Sequence, residues 1–151
     1  MMGSVVEVQH VIKKFGEQVA LNDVNITFEA GKIHGVIGRN GSGKTVMFKC
    51  ICGFMRPDGG EIRIDGKKVR PAQAQDIGII IEDPGFIGSM SAFKNLKLLA
   101  SVQKKVSQEE IRQVLVQVGL DPNDKKHVSK FSLGMRHRLG VAQAIMEHPP
   151  L

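Results

Sequence analysis

Gly38-Arg39-Asn40-Gly41-Ser42-Gly43-Lys44-Thr45 is the stretch of sequence that decides the fold. Two glycines enclose four residues, and a lysine and a hydroxyl residue follow, which is the pattern of a phosphate-binding loop. The apolar run 32–37 leads into this loop and is predicted to be a buried strand. A helix is predicted over 44–52, ended by Gly53. The pattern therefore stands between a strand and a helix, which is the context in which such a loop cradles phosphates.

The residue types in this loop suit a polyphosphate. Glycines without Cβ atoms let the main chain turn its N–H groups toward phosphate oxygens, and the following helix adds partial positive charge at its N-terminus. Lys44 supplies a full charge, and the Thr45 hydroxyl can ligate Mg²⁺. The alternative interpretation is a glycine-rich turn with a chance lysine. The residues predicted to bind the nucleotide are Gly38, Arg39, Asn40, Gly41, Ser42, Gly43, Lys44, Thr45 and Val46.

Hydrophobic periodicity divides the chain into a strand-rich first part and a helical second part. Strands are predicted over 5–8, 25–28, 32–37, 61–64, 67–69 and 77–81, with Asp65-Gly66 as a hairpin turn between 64 and 67. Helices are predicted over 91–102, after the capping box Ser107 to Glu110, and over 133–147. The predicted fold class is α/β, with a nucleotide-binding core of mixed β-sheet over 1–82 and a helical subdomain over 83–151.

Composition excludes several classes of protein. No apolar run approaches the ~18–20 residues that a transmembrane helix needs. The net charge of +6 is spread over separate lysines, and Trp and Tyr are absent, so no base-stacking surface for nucleic acid is expected. Cys50 and Cys52 point about 200° apart on their predicted helix, which favours two core thiols over a disulfide or a metal site.

A second motif, Phe131-Ser132-Leu133-Gly134-Met135-Arg136, begins the last predicted helix. Together, the phosphate loop and this motif resemble the ATP-binding subunit of an ABC transporter, in which the second motif is the family signature. The resemblance implies that Ser132 and Gly134 contact the γ-phosphate of ATP bound by the opposite subunit. Leu133 and Met135 replace the glycine and glutamine usual in that family, which puts a side-chain role at 135 in doubt. Ser132 is also a predicted N-cap of this helix. The alternative is an ordinary helix start.

Other positions carry the same resemblance. The stretch 49–66 is similar to the family's post-loop helix and antiparallel hairpin. Phe15 stands where the family places the aromatic ring that stacks on adenine, and Glu82 stands where it places a ligand for Mg²⁺. In having Glu82 followed by Pro84-Gly85-Phe86, the chain resembles the ATP-binding subunits of exporters of the peptide-antibiotic and bacteriocin-immunity type. The alternatives are that Phe15 packs on the sheet and that Glu82 is a solvated strand end.

The resemblance implies an architecture and partners. Such subunits form a head-to-tail dimer, or pair with a second nucleotide-binding subunit, around two ATP molecules. They lie at the cytoplasmic face of the membrane and bind a transmembrane permease, here through Phe86 to Met90. The family's Walker B strand, catalytic Glu and switch His would follow Leu151, so we expect these residues to be part of a longer protein and to bind ATP without hydrolysing it. The alternatives are a non-transport ABC ATPase of translation or DNA repair, and a non-enzymatic nucleotide-binding fragment.

Overall fold

The computed structural model describes residues 5–73, 75–81 and 85–151. These residues form two compact units, one running to Ile77 and including Pro150–Leu151, the other spanning Gly78–Pro149. Each unit has its own hydrophobic core. The predicted boundary between 82 and 83 stays a prediction, because residues 82–84 lie outside the described residues.

A long β-hairpin opens the first unit. Strand β1, Val6–Phe15, pairs antiparallel with β2, Gln18–Phe28, around the two-residue turn Gly16-Glu17. Both strands are longer than the predicted 5–8 and 25–28. The alternation of apolar residues breaks at a bulge where His10 has φ 51°, so a period of two could not be followed along the whole strand.

Strands β3, Gly59–Ile64, and β4, Lys67–Lys68, complete a sheet of order β2-β1-β3-β4 whose neighbours are all antiparallel. The predicted hairpin turn is confirmed, since Asp65 and Gly66 have φ of 51° and 77°, which a type I′ turn requires. Helix α1, Lys44–Ile51, packs on this sheet, and Gly53 ends it with φ 76° as predicted. The core of the unit consists of Val6, Val8, Val11, Leu21, Met47, Cys50, Ile51 and Ile62.

Two predicted strands are wrong. Residues 32–37 and 77–81 are not in a strand, and Ile33 and Ile37 are fully exposed at 103% and 99%. Both segments have the β-branched composition of buried strands. A strand also needs a neighbour to bond its N–H and C=O groups, and neither segment has a ladder partner among the described residues. Composition therefore predicted a tendency that pairing did not realise.

The second unit is helical, as predicted. It contains α2, Ala92–Gln103, α3, Gln108–Gln117, a 3₁₀ turn at Val128–Lys130, and α4, Leu133–Ile145. The capping box predicted at Ser107 and Glu110 is present, with both of its hydrogen bonds. The core consists of Ala92, Leu96, Ala100, Ile111, Val114, Leu115, Leu120, Val128, Phe131, Leu139, Ala142 and Met146.

Asn95 on α2 fixes the loop that precedes its helix. The residue is 3% exposed. Its amide oxygen accepts from the N–H of Ile87 at 2.8 Å, and its amide nitrogen donates to the carbonyls of Ile87 and Ser91 at 3.1 and 3.0 Å. A buried amide that satisfies itself on loop carbonyls holds the loop in one conformation. Residues 87–91 therefore have one defined main-chain conformation.

Both cysteines are buried, as expected for core thiols. Burial raises the pKa of the Cys52 thiol to about 11 and also raises that of Cys50. Separately, none of the helices in the described ranges has the length and apolar character that a membrane crossing requires.

We predict that Leu115→Ala destabilises the second unit by about 2–5 kcal/mol, because it removes a fully buried side chain from α3 and leaves a cavity. Chemical denaturation of the purified protein measures the free energy of unfolding. Val116→Ala is the matched control, since Val116 is the next residue on the same helix and its side chain is 62% exposed. Equal losses for the two variants would contradict the described core.

We also predict that neither cysteine is alkylated by iodoacetamide at pH 8 in the folded protein, whereas both react after denaturation. The raised pKa of Cys52, about 11, keeps it a neutral thiol at that pH, and the thiolate is the reactive form. Mass spectrometry of the labelled protein gives the count. Rapid labelling of Cys52 in the native state would show that the end of α1 is open to solvent.

Candidate functional site

The phosphate loop ends where α1 begins, and the helix N-terminus is left without a side-chain cap. Gly43 is the N-cap residue, with φ 95°, and it offers no side-chain acceptor to the first N–H groups of the helix. The first turn also contains no acidic residue. Uncapped N–H groups and the positive end of the helix dipole together favour an anionic ligand.

Lys44 crosses back over the loop that precedes it. Its ammonium donates to the carbonyl of Gly38 and, at 3.1 Å, to the carbonyl of Arg39. The loop is closed further by a turn in which the N–H of Ser42 donates to the carbonyl of Arg39 at 3.1 Å. The loop therefore wraps around the lysine, and the charge lies within the curl of the main chain.

Close contacts require glycine at position 43 and leave little room for a Cβ at position 38. A Cβ on Gly43 would collide with the carbonyl oxygen of Ala20 and lie 2.9 Å from Leu21 Cδ2. A Cβ on Gly38 would lie 2.5 Å from Ser42 Oγ. Real Cβ atoms do not approach so closely. At position 43 a larger residue would push the loop away from β2, whereas at position 38 the Ser42 side chain could rotate aside.

A cleft of about 280 Å³ runs along the loop and reaches the end of the β1–β2 hairpin. The structure thus brings Phe15 together with most of the predicted loop residues. Gly38 is not among the lining residues, and its carbonyl accepts from the Lys44 ammonium. Arg39 and Lys44 are the charged residues of the cleft, and the described lining contains no carboxylate. The lining residues are Phe15, Gln18, Ala20, Arg39, Asn40, Gly41, Ser42, Gly43, Lys44, Thr45 and Val46.

Sequence reasoning missed Gln18 and Ala20 in this lining. Phe15 pairs with Gln18 across the two-residue turn at Gly16, so a hairpin assignment would have placed Gln18 beside the predicted base-stacking ring. The glycine at position 16, which has φ 61° in the structure, was the signal available in the sequence. It could not be used, because the strand was predicted to end at Val8.

Phe15 itself is 47% exposed at the end of β1. The Lys13 ammonium lies 5.4 Å from the centroid of its ring. A half-exposed ring that borders a phosphate loop is accessible to a base. Its assignment to the base stays a prediction.

The second motif belongs to the second unit. Ser132 is the N-cap of α4, as predicted, and its hydroxyl accepts from the N–H of Met135 at 3.2 Å. Leu133 and Gly134 are exposed, whereas Met135 packs partly buried on the core of the unit. The Met135 side chain is therefore engaged in packing. Contact of Ser132 and Gly134 with a γ-phosphate stays a prediction.

The metal assignment is only half described. The side chain of Thr45 is exposed in the cleft. Glu82 lies outside the described residues. Among the residues that the structure describes, no group of three or more His, Cys, Asp and Glu side chains is arranged to hold a metal ion. A single hydroxyl beside a polyphosphate is compatible with Mg²⁺, which keeps several waters and shares oxygen ligands with phosphates.

Comparison with known proteins gives the family. A model of the ABC transporter family matches residues 21–151. The chain is 38% identical over 97% of its length to the ABC transporter ATP-binding protein YybJ of Bacillus subtilis (strain 168). It is 36% identical over its full length to the bacitracin transport ATP-binding protein BcrA of Enterococcus faecalis, and 35% identical over 97% to the lantibiotic transport ATP-binding protein SrtF of Streptococcus pyogenes.

These relatives are longer than the chain. It spans 68% of YybJ, 64% of SrtF and 50% of BcrA. The names of the relatives describe transport, so the alternative of an ABC ATPase of translation or DNA repair is set aside.

Solved structures confirm the fold. CbiO1 from Clostridium perfringens, part of the ABC transporter complex cbiONQ, matches 97% of this chain and 63% of its own at a TM-score of 0.82 and 21% identity. The ATP-binding cassette MJ0796 matches 95% of this chain and 70% of its own at a TM-score of 0.82 and 23% identity. These likenesses confirm the predicted α/β class. With the family match over residues 21–151, the chain belongs to the ABC transporter family, as an ATP-binding protein.

Proposed function

We propose that the cleft binds Mg-ATP, with the triphosphate in the loop and the adenine against Phe15. The observation that carries this proposal is the union, in one cleft, of an uncapped helix N-terminus, two cationic residues and an aromatic ring. Phosphate oxygens are recognised by main-chain N–H groups and by Lys44. The base is recognised by stacking, which accepts any of the bases but requires that the ligand has one.

Within this site Thr45 is the proposed ligand of Mg²⁺ from the loop, and Glu82 the proposed second ligand from the chain. Hydroxyl and carboxylate oxygens are the hard ligands that Mg²⁺ prefers. When bound, the ion neutralises charge on the β- and γ-phosphates. The protein's part is to hold the triphosphate in one position along the loop.

The proposed partners follow from the family. We place Ser132 and Gly134 against the γ-phosphate of ATP held by a second nucleotide-binding subunit, since an exposed helix N-terminus with a glycine in its first turn can approach a phosphate. We place a transmembrane permease at residues 86–90, where Asn95 holds the loop in shape. The protein would then lie at the cytoplasmic face of the membrane.

The proposed activity of the whole protein is ATP-driven export. The relatives BcrA and SrtF are named for transport of bacitracin and a lantibiotic, so a peptide antibiotic is the proposed class of substrate. Parallel assays of Mg-ATP binding and phosphate release test the activity. Co-purification with a multi-spanning membrane protein tests the partner. Binding that requires the loop is the result that supports the proposal, and absence of binding by the folded protein would overturn it.

We predict that Lys44→Ala weakens Mg-ATP binding at least tenfold, which corresponds to ~1.4 kcal/mol, because it removes the full positive charge from the loop. Isothermal titration calorimetry on the folded variant measures the dissociation constant. Lys67→Ala is the matched control, since it removes an equal charge from an exposed residue of β4 in the same unit. Unchanged affinity in Lys44→Ala would contradict the assigned site.

We predict that Phe15→Ala weakens ATP binding about tenfold or more, in keeping with a stacking contribution of roughly 1–3 kcal/mol. Binding of inorganic tripolyphosphate should be unaffected, because it has no base to stack. Phe54→Ala is the control, since Phe54 is 66% exposed in the same unit and lies outside the cleft lining. A parallel loss of tripolyphosphate binding would mean that Phe15 supports the loop and does not contact a base.

A further inference from the structure

The ammonium group of Lys13, a residue of the same strand, lies over the Phe15 ring. Lys13 and Phe15 are two residues apart on β1, in a stretch where the pairing with β2 is irregular. The Lys13 ammonium is 5.4 Å from the ring centroid, within the distance of about 6 Å at which a cation is attracted to an aromatic face. Lys13 is not among the described residues that line the cleft. Lys13 therefore contacts the ring without lining the cleft.

Lys13 is itself held in place. Its side chain is only 16% exposed, and its ammonium lies 3.7 Å from Asp58 Oδ1. Most lysines at a strand end extend into water and lose little by moving. This one is largely enclosed and paired, so its position over the ring is determined by protein contacts.

Asp58, in the turn before β3, is held by the main chain of β1. Its N–H donates to the carbonyl of Ile12 at 2.8 Å, and its Oδ2 accepts from the N–H of Lys14 at 2.7 Å. The hydrogen bond from Lys14, together with the nearby Lys13 charge, holds the pKa of Asp58 below its usual value. The carboxylate is thus ionised at neutral pH, and the turn carries a fixed negative charge to Lys13.

We propose that Lys13 and Asp58 are positioning residues for the base of the nucleotide, acting through Phe15. The inference rests on the proposed function, in which Phe15 is the surface on which the base stacks. Asp58 fixes Lys13, Lys13 fixes the ring without lining the cleft, and the ring meets the base in the cleft.

Two physical effects make this arrangement favour binding. A ring already held in its bound orientation loses less conformational entropy when a base stacks on it. A cation over one face also draws electron density from the ring, which reduces the repulsion between its π-electrons and those of a base on the other face. Both effects act only on ligands that have a base. They leave recognition of the phosphates unchanged.

The first test is Lys13→Met, which keeps the length and apolar stem of the side chain and removes its charge. We expect ATP affinity to fall about three- to tenfold, with no change in the affinity for inorganic tripolyphosphate, both measured by calorimetry on the purified protein. Lys13→Arg should restore most of the ATP affinity, because a guanidinium also binds over an aromatic face.

Lys14→Met is the matched control for charge. It removes the same positive charge one residue away, from an exposed side chain, and it keeps the main-chain N–H that binds Asp58. Its ATP affinity should equal that of the unaltered protein. An equal loss in Lys13→Met and Lys14→Met would show a general effect of net charge and would overturn the proposal.

Asp58→Asn supplies a second variant that keeps an acceptor for the Lys14 N–H and removes the anchor of Lys13. We expect a loss of ATP affinity in the same direction as that of Lys13→Met, again without loss of tripolyphosphate affinity. Combined with Phe15→Ala, Lys13→Met should have no further effect, because the ring through which it acts is gone. Independent, additive losses would overturn the proposal.

The outcomes separate this inference from the function on which it rests. If Phe15→Ala weakens ATP binding and Lys13→Met does not, the base stacks on Phe15 and the proposed positioning is wrong. If Lys13→Met weakens tripolyphosphate and ATP equally, Lys13 acts on the phosphates and the proposed positioning is again wrong. If Phe15→Ala leaves ATP affinity unchanged, the assignment of the base to Phe15 fails, and the inference fails with it.

Discussion

The close approach of Gly43 to the main chain of β2 is the constraint on which the site depends. A Cβ at 43 would collide with the carbonyl oxygen of Ala20, so only glycine lets the start of α1 approach the strand this closely. Ala20 is two residues from Gln18, and Gln18 pairs with Phe15 across the hairpin turn. One contact therefore brings the phosphate loop and the proposed base-stacking ring to the same cleft. The two parts of a nucleotide would be recognised by elements that glycine allows to meet.

A bulge in β1 helps to decide which face of the sheet carries Phe15. Before the bulge Val8 is buried against the core, and after it Val11 is buried, an interval of three where a regular strand would have two. His10 lies in this bulge with φ 51°. The pairing with β2 shifts twice more between Val11 and Lys14, so the face that carries Phe15 depends on these irregularities as well as on the bulge at His10. With all of them in place, the Phe15 ring lines the cleft beside the start of α1.

The second unit shows how a weak motif gains meaning from local structure. Ser132 caps α4 and leaves Leu133 and Gly134 exposed at its first turn, whereas Met135 packs on the core. The exposed part of the motif is thus Ser132, Leu133 and Gly134. The serine and the glycine are the two of these positions that match the family. The two departures from the family pattern differ in environment, since one side chain is exposed and the other is engaged in packing. Both are compatible with an interface made by the main chain at this helix end.

The amino-acid sequence by itself determined the elements whose signals are local. The phosphate loop, the helix from Lys44 ended by Gly53, the Asp65-Gly66 turn and the capping box at Ser107 each depend on residues within one or two turns of chain. Backbone freedom at glycine and short side chains that bond to nearby N–H groups produce such structures without distant partners.

Only the tertiary structure decided the rest. The β1–β2 hairpin, the face that carries Phe15, and the inclusion of Gln18 in the cleft depend on a bulge and on pairing between strands. Residues 32–37 and 77–81 show the opposite case, since their β-branched composition predicts strands that are not formed. Pairing requires a neighbour at the right distance and register, and neither composition nor periodicity in one segment contains that information. The same holds for Lys13 and Asp58, which are 45 residues apart in sequence and 3.7 Å apart in space.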